Sequence, residues 1–111
     1  MITALDMARL REITDGDAAL ERQLFGLFVE TADRLIALLA MQLPDTTGKW
    51  QQTVHQLKGA CANMHVAAMW QLCQELEKLH GEAARSEKLE ELKKAYAVLR
   101  SELAAVATLP R

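Results

Sequence analysis

Residues Trp50 to Glu77 read WQQTVHQLKGACANMHVAAMWQLCQELE. When residues are set at about 100° intervals, Trp50, Val54, Leu57, Cys61 and Met64 fall within roughly 40° of one direction, so this stretch begins with an amphipathic helix and those five side chains face a core. His55 points roughly 140° away from that direction and is predicted to face solvent. Gly59 lies nearly opposite the core, Ala62 lies beside it, and Lys58 sits roughly 80° off the core on the flank shared with His55. A glycine one turn after the histidine leaves no side chain beside the imidazole, so a second molecule can come close. Glycine is a poor helix former, and its presence mid-helix asks for a reason. Lys58 disfavours a protonated imidazole and keeps a ring nitrogen available as a nucleophile. Its ammonium can also pair with a negative group delivered to that nitrogen.

Outward from this stretch the chain reads as helix throughout. It has 111 residues, enough for one core and a single domain over residues 1–111. Few glycines, only Pro44 and Pro110, and abundant Ala, Leu, Glu, Lys and Gln favour an all-α chain. A net charge of -2 supplies neither a nucleic-acid footprint nor a polybasic membrane patch. The apolar run from Leu35 to Met41 is too short to span a bilayer, and the N-terminus lacks the pattern of a signal peptide. Cys61 and Cys73 read as free buried thiols of a reducing compartment, which makes a cytoplasmic location the expectation.

The first predicted helix runs from about Asp6 to Thr14, with Asp6 as its N-cap and Leu5 and Leu10 spaced as a hydrophobic staple. Asp15-Gly16-Asp17 ends it and caps the second helix, which continues to Met41 or Leu43. Two apolar seams run along this second helix. Leu20, Leu24, Leu27, Thr31, Leu35 and Leu38 are expected to form the core stripe. Phe25, Val29, Ala32, Ile36 and Leu39 are expected to be covered by the first helix, by a partner, or by some of each. Pro44 stops this helix, and Asp45-Thr46-Thr47-Gly48 supplies turn and capping chemistry for the third, from about Gly48 to Met64. Only Asn63 and His65 look able to separate the third helix from the fourth, expected over Val66 to Ala84 with Met69, Leu72, Cys73, Leu76 and Leu79 inward and His80 at the edge of the stripe. Ser86 is expected to cap the fifth, whose stripe is Leu89, Leu92, Tyr96, Leu99, Leu103 and Val106. Amphipathic helices with short connections predict an antiparallel four-helix bundle of the second to fifth helices, with the short first helix packed beside it.

The run His55-Gln-Leu57-Lys58-Gly59-Ala60-Cys61-Ala62-Asn63-Met64, followed by Met69, Cys73, Leu76 and Glu77, resembles the signature of histidine-containing phosphotransfer (HPt) domains. The N-terminal helices resemble the start of such domains too, so the likeness covers nearly the whole chain. The resemblance implies a phosphorelay intermediate of a two-component system. His55 would be the phosphoacceptor, Lys58 would stabilise the phosphoryl group and Gly59 would give steric access. It implies no ATP site or kinase activity, and the chain has no Gly-rich phosphate loop. No cofactor or metal would be bound by this domain; Mg²⁺ and the catalytic acids would belong to the partner. The expected partners are receiver domains of response regulators or a hybrid sensor kinase, met by a monomer. Docking candidates are Phe25, Val29, Gln51, Gln52, Ala62 and Asn63. One departure stands out: His65 occupies the place where the family usually has glycine, so a left-handed turn there would carry strain. Two other readings compete, a helical adaptor that carries no phosphate and a metal-binding bundle. The metal reading suffers because His55 and Cys61 diverge by roughly 120° around one helix.

Overall fold

Asp17 sits in extended conformation and its carboxylate accepts from the amides of Ala19 (2.9 Å) and Leu20 (3.1 Å), starting the long second helix where the sequence places it. In the computed structural model, which describes residues 7–108, five helices follow one another: α1 (Met7–Thr14), α2 (Ala18–Met41), α3 (Lys49–Asn63), α4 (Ala67–Glu77) and α5 (Glu82–Thr108). The predicted Asp6 cap, the Leu5–Leu10 staple and the place of Val106 in the last stripe lie outside the described residues and side chains. No described residue is in a strand.

The helices α2 to α5 form the expected all-α bundle, each packing on its neighbours in the ring α2–α3–α4–α5–α2, while α1 packs on α2. The direction of packing is readable in side chains. Arg85, near the start of α5, reaches Leu43 and Asp45 just beyond the end of α2. Tyr96, midway along α5, reaches Val29 and Asp33 midway along α2. The two helices are therefore antiparallel. α1 is tied down through Thr14 and Arg11, whose side chains approach the buried carboxylate of Glu21 at 3.4 and 3.9 Å.

The core corrects the assignment of the two α2 seams. Phe25, Ala32, Ile36 and Leu39 are buried, together with Phe28 and Leu35, while Leu20 and Leu27 stay exposed and Leu24 and Leu38 are half-buried. The seam expected to need outside cover is the bundle core, and of the seam expected to be core Leu35 is buried, Leu24, Thr31 and Leu38 form its half-buried edge, and Leu20 and Leu27 face solvent. The physical reason is width. A helix gripped by two neighbours buries an arc of more than 100°, and periodicity alone cannot centre that arc when both seams are apolar.

The boundary between the last two helices also differs. α4 ends at Glu77 instead of continuing to Ala84, and Gly81, at φ 91, makes the break. That backbone angle is open to glycine and closed to a helical residue. Glu82 then begins α5, so Ser86 lies inside that helix rather than capping it, and His80 is exposed in the connection rather than closing a stripe. The break between α3 and α4 falls at His65, at φ 55. Here the Val66 amide bonds the Cys61 carbonyl (2.9 Å) and the His65 amide bonds the Ala62 carbonyl (3.1 Å). This pair of bonds is a Schellman ending with His65 in the left-handed position.

One buried side chain gathers one end of the bundle. Arg85 is only 3% exposed. Its Nε donates to the Leu79 carbonyl (3.2 Å), and its Nη1 donates to the carbonyls of Leu43 (3.0 Å) and Asp45 (2.7 Å). The guanidinium also lies 4.8 Å above the Trp50 ring, whose Nε1 donates to the Leu76 carbonyl (2.9 Å). Two connections and the first turn of α3 are fastened together in this way. Asp45 completes the fastening by accepting from Thr47 Oγ1 (2.7 Å) and the Trp50 amide (3.1 Å).

Candidate functional site

α3 is held to the core by Trp50, Val54, Leu57 and Cys61, each fully buried, as its spacing predicts. That grip sets the rotation of the helix and turns His55 outward, where its side chain is 74% exposed. At Gly59 an added Cβ would meet nothing within 4 Å, so the glycine leaves an open surface one turn beyond the imidazole and not a tight contact. Nothing inside the protein requires glycine there.

The packing of α4 on α3 adds a third group. Glu77 Oε2 accepts from Lys58 Nζ at 2.9 Å, and Glu77 Oε1 lies 3.4 Å from His55 Nδ1. Glu77 thus stands between the histidine and the lysine. Its carboxyl is held below the ordinary range, first by the hydrogen bond from Lys58 and secondarily by His55, against the opposing effect of burial. The Lys58 side chain is 19% exposed, so its ammonium is packed along the α3–α4 seam and not simply solvated. The carboxylate facing Nδ1 favours the tautomer with its proton on that nitrogen. Nε2 then carries the lone pair on the solvent side.

The lysine therefore acts within an ion pair, where the sequence alone suggested a free positive neighbour for the imidazole. Sequence reading quotes Glu77 within the motif but gives it no role, because it lies in another helix, 22 positions after His55. Arg85 was missed altogether. Its signal in the sequence, a lone arginine after Gly81, says nothing until the two connections meet around it.

The docking candidates separate into groups. Gln52 and Asn63 are exposed on α3, Gln51 is half-buried by the connection ahead of α3, and Ala62 is exposed beside a groove shared with Arg9, His65 and Trp70. These four share a helix with His55. Phe25 and Val29 do not join them: Phe25 is buried in the core, and the Val29 carbonyl is 3.2 Å from the Tyr96 hydroxyl on the α5 side of α2. The exposed large apolar side chains of α2 are Leu20, Leu27 and, at its C-terminal end, Met41. Leu27 lies roughly 160° around the helix from Val29, on the flank away from α5. Cys61 and Cys73 are buried free thiols packed against each other, and that contact, with burial second, pushes the Cys61 thiol up. Among the described residues, no three His, Cys, Asp or Glu side chains gather as a metal cluster would.

The Hpt domain family model matches residues 23–108, which include the His55, Lys58 and Glu77 constellation and the whole of the four-helix ring except the first residues of α2. The chain belongs to the Hpt domain family. Hpt domains are phosphocarrier modules of two-component signalling, not kinases, and they interact with receiver domains. No curated protein and no solved structure matches the chain. None of the helices in this Hpt domain is long and apolar enough to cross a membrane, among the described residues.

Proposed function

We propose that this Hpt domain is a phosphorelay intermediate in which His55 accepts a phosphoryl group from the aspartyl phosphate of one receiver domain and passes it to another. The observation that carries the reading is the exposed imidazole with Nδ1 turned to Glu77 and Nε2 turned to solvent. In the forward step the Nε2 lone pair attacks phosphorus, an N–P bond forms, and the P–O bond to the receiver's aspartate breaks. The aspartate leaves as a carboxylate. The imidazole keeps its Nδ1 proton, and the positive charge that develops on the ring is met by Glu77. Lys58, already 2.9 Å from Glu77, is within a side-chain rotation of the new phosphoryl oxygens and pairs with them.

Both linkages, acyl phosphate and phosphoramidate, are high in energy, so the same path runs backwards onto a second receiver. The receiver contributes the acids and Mg²⁺, and this domain binds no cofactor of its own. The surface offered to the receiver is the outer face of α3 with His55, Gly59, Gln52 and Asn63, flanked by Leu20 and Leu27 of α2. Specificity would come from the shape of that surface rather than from the histidine.

The test is incubation with a phosphorylated receiver. The wild type should take up label that is lost in acid, and His55→Gln should take up none. Label retained by His55→Gln, or stable in acid, would overturn the assignment.

A further inference from the structure

A cleft of about 330 Å³ opens at the end of the bundle where Arg85 fastens the two connections. Its walls are Asp45, Thr46, Gly48, Gln51, His80, Gly81 and Arg85. Arg85 is 97% buried by the complement of its 3% exposure, and its hydrogen-bond partners are all neutral: the carbonyls of Leu43, Asp45 and Leu79. The Trp50 ring beneath it is neutral as well. No carboxylate stands within ion-pair distance of it among the described residues. Nε and Nη1 are engaged. Nη2, with two N–H donors, has no hydrogen-bond partner among the described residues, and Arg85 lines the cleft.

A buried cation whose contacts are all neutral is an incomplete electrostatic arrangement. Taking a charge out of water is costly, and neutral partners offset less of that cost than a hydrogen-bonded opposite charge does. The two remaining donors on one nitrogen suit an oxyanion. Asp45 in the wall is ionised, its carboxylate held down to about 2 by the Thr47 hydroxyl first and the Trp50 amide next. That negative charge repels a doubly charged anion about twice as strongly as a singly charged one, which favours a single carboxylate.

We propose that this cleft is a binding site for a single carboxylate group, held by the free donors of Arg85 Nη2 with Gln51 and His80 at its walls. The site is independent of phosphate chemistry at His55, although Gln51 precedes His55 by one turn on the same helix. The carboxylate could belong to a free small acid or to an acidic side chain presented by a protein, and the two sources are separable.

The experiment follows the amide signals of Gln51 and Gly81 and the ring signals of His80 in the ¹⁵N-labelled chain. Sodium acetate is titrated against sodium chloride at matched ionic strength. Acetate should give saturable shifts at these positions with affinity of about 1 mM, and chloride should not. Gln51→Ala with His80→Ala, both at the walls and outside the core, should weaken binding about tenfold. Arg85→Lys, if its amide spectrum stays dispersed, should abolish the saturable shift. If that variant unfolds, the wall variant decides. A second titration uses N-acetylglutamate N-methylamide as a protein-borne carboxylate. Tighter saturable binding of the peptide-borne carboxylate than of acetate assigns the site to an acidic side chain, and tighter binding of acetate, or binding of acetate alone, assigns it to a free acid. Equal, non-saturating responses to acetate and chloride, or a wall variant that binds acetate as tightly as wild type, would overturn the proposal.

Discussion

His65→Gly should stabilise this domain. His65 holds φ 55 at the Schellman ending of α3, and its amide and the next close the helix onto Ala62 and Cys61. A side chain in that left-handed region costs roughly 1–2 kcal/mol relative to the right-handed conformation. Glycine removes that cost but gives back roughly 0.5–1 kcal/mol through the greater freedom of the unfolded chain. The net gain is therefore about 0.5–1 kcal/mol. In a domain of this size that corresponds to a rise in Tm of about 2–6 °C. His65 is also half-buried beside Arg9 and Trp70, and losing that contact works against the gain. His65→Ala separates the two effects, because it loses the same contact and keeps the strained Cβ. Glycine should exceed alanine by about 1 kcal/mol in urea unfolding, with unchanged m-values. Equal midpoints for the two variants would refute the claim that backbone strain is stored at this turn.

Gly59→Ala should raise stability by up to about 1 kcal/mol, since an added Cβ meets nothing and alanine is the better helix former, while Gly59→Leu should keep the fold and slow phosphoryl uptake from a receiver. Uptake by Gly59→Leu at the wild-type rate would remove the steric-access role. Glu77→Gln should slow uptake roughly three- to tenfold by loosening the Nδ1 tautomer and freeing Lys58. The same carboxyl has a folded pKa below its unfolded value, so its contribution to stability is full above the ordinary glutamate range and is lost as pH falls through the lowered value. The acid limb of a urea-midpoint profile should therefore be shallower in Glu77→Gln than in wild type. Asp45 follows the same sign. The stability supplied by its bonds from Thr47 and the Trp50 amide is full above the unfolded value of 3.8 and is lost as pH falls towards about 2, and Asp45→Asn should flatten the midpoint profile across that window.

The outward placement of His55 is legible in the sequence because it depends only on the 3.6-residue period and on five apolar neighbours strong enough to set the rotation of α3. The Asp17 cap is legible for a similar reason: Asp17 and its two amides are within three residues of one another. The seams of α2 are not legible, since Leu27 and Phe25 are both large and apolar, and only the positions of α3 and α5 determine which one is buried. The end of α4 shows a different kind of failure. Apolar spacing that continues through Leu79 carries the expected helix past Gly81 to Ala84, and only the structure shows the chain breaking at that glycine.

The sequence by itself determines the helical class, the histidine with its lysine and glycine on one helix, and the membership in the Hpt family that those residues announce. Each depends on local spacing, which the backbone period converts directly into a face. The tertiary structure alone decides that Glu77 stands between His55 and Lys58, and that Arg85 is buried with two donors unused. These groups lie on different helices or connections, and no local rule relates their positions. Only the packing of α4 on α3, and of both connections around one guanidinium, brings them within a few ångströms.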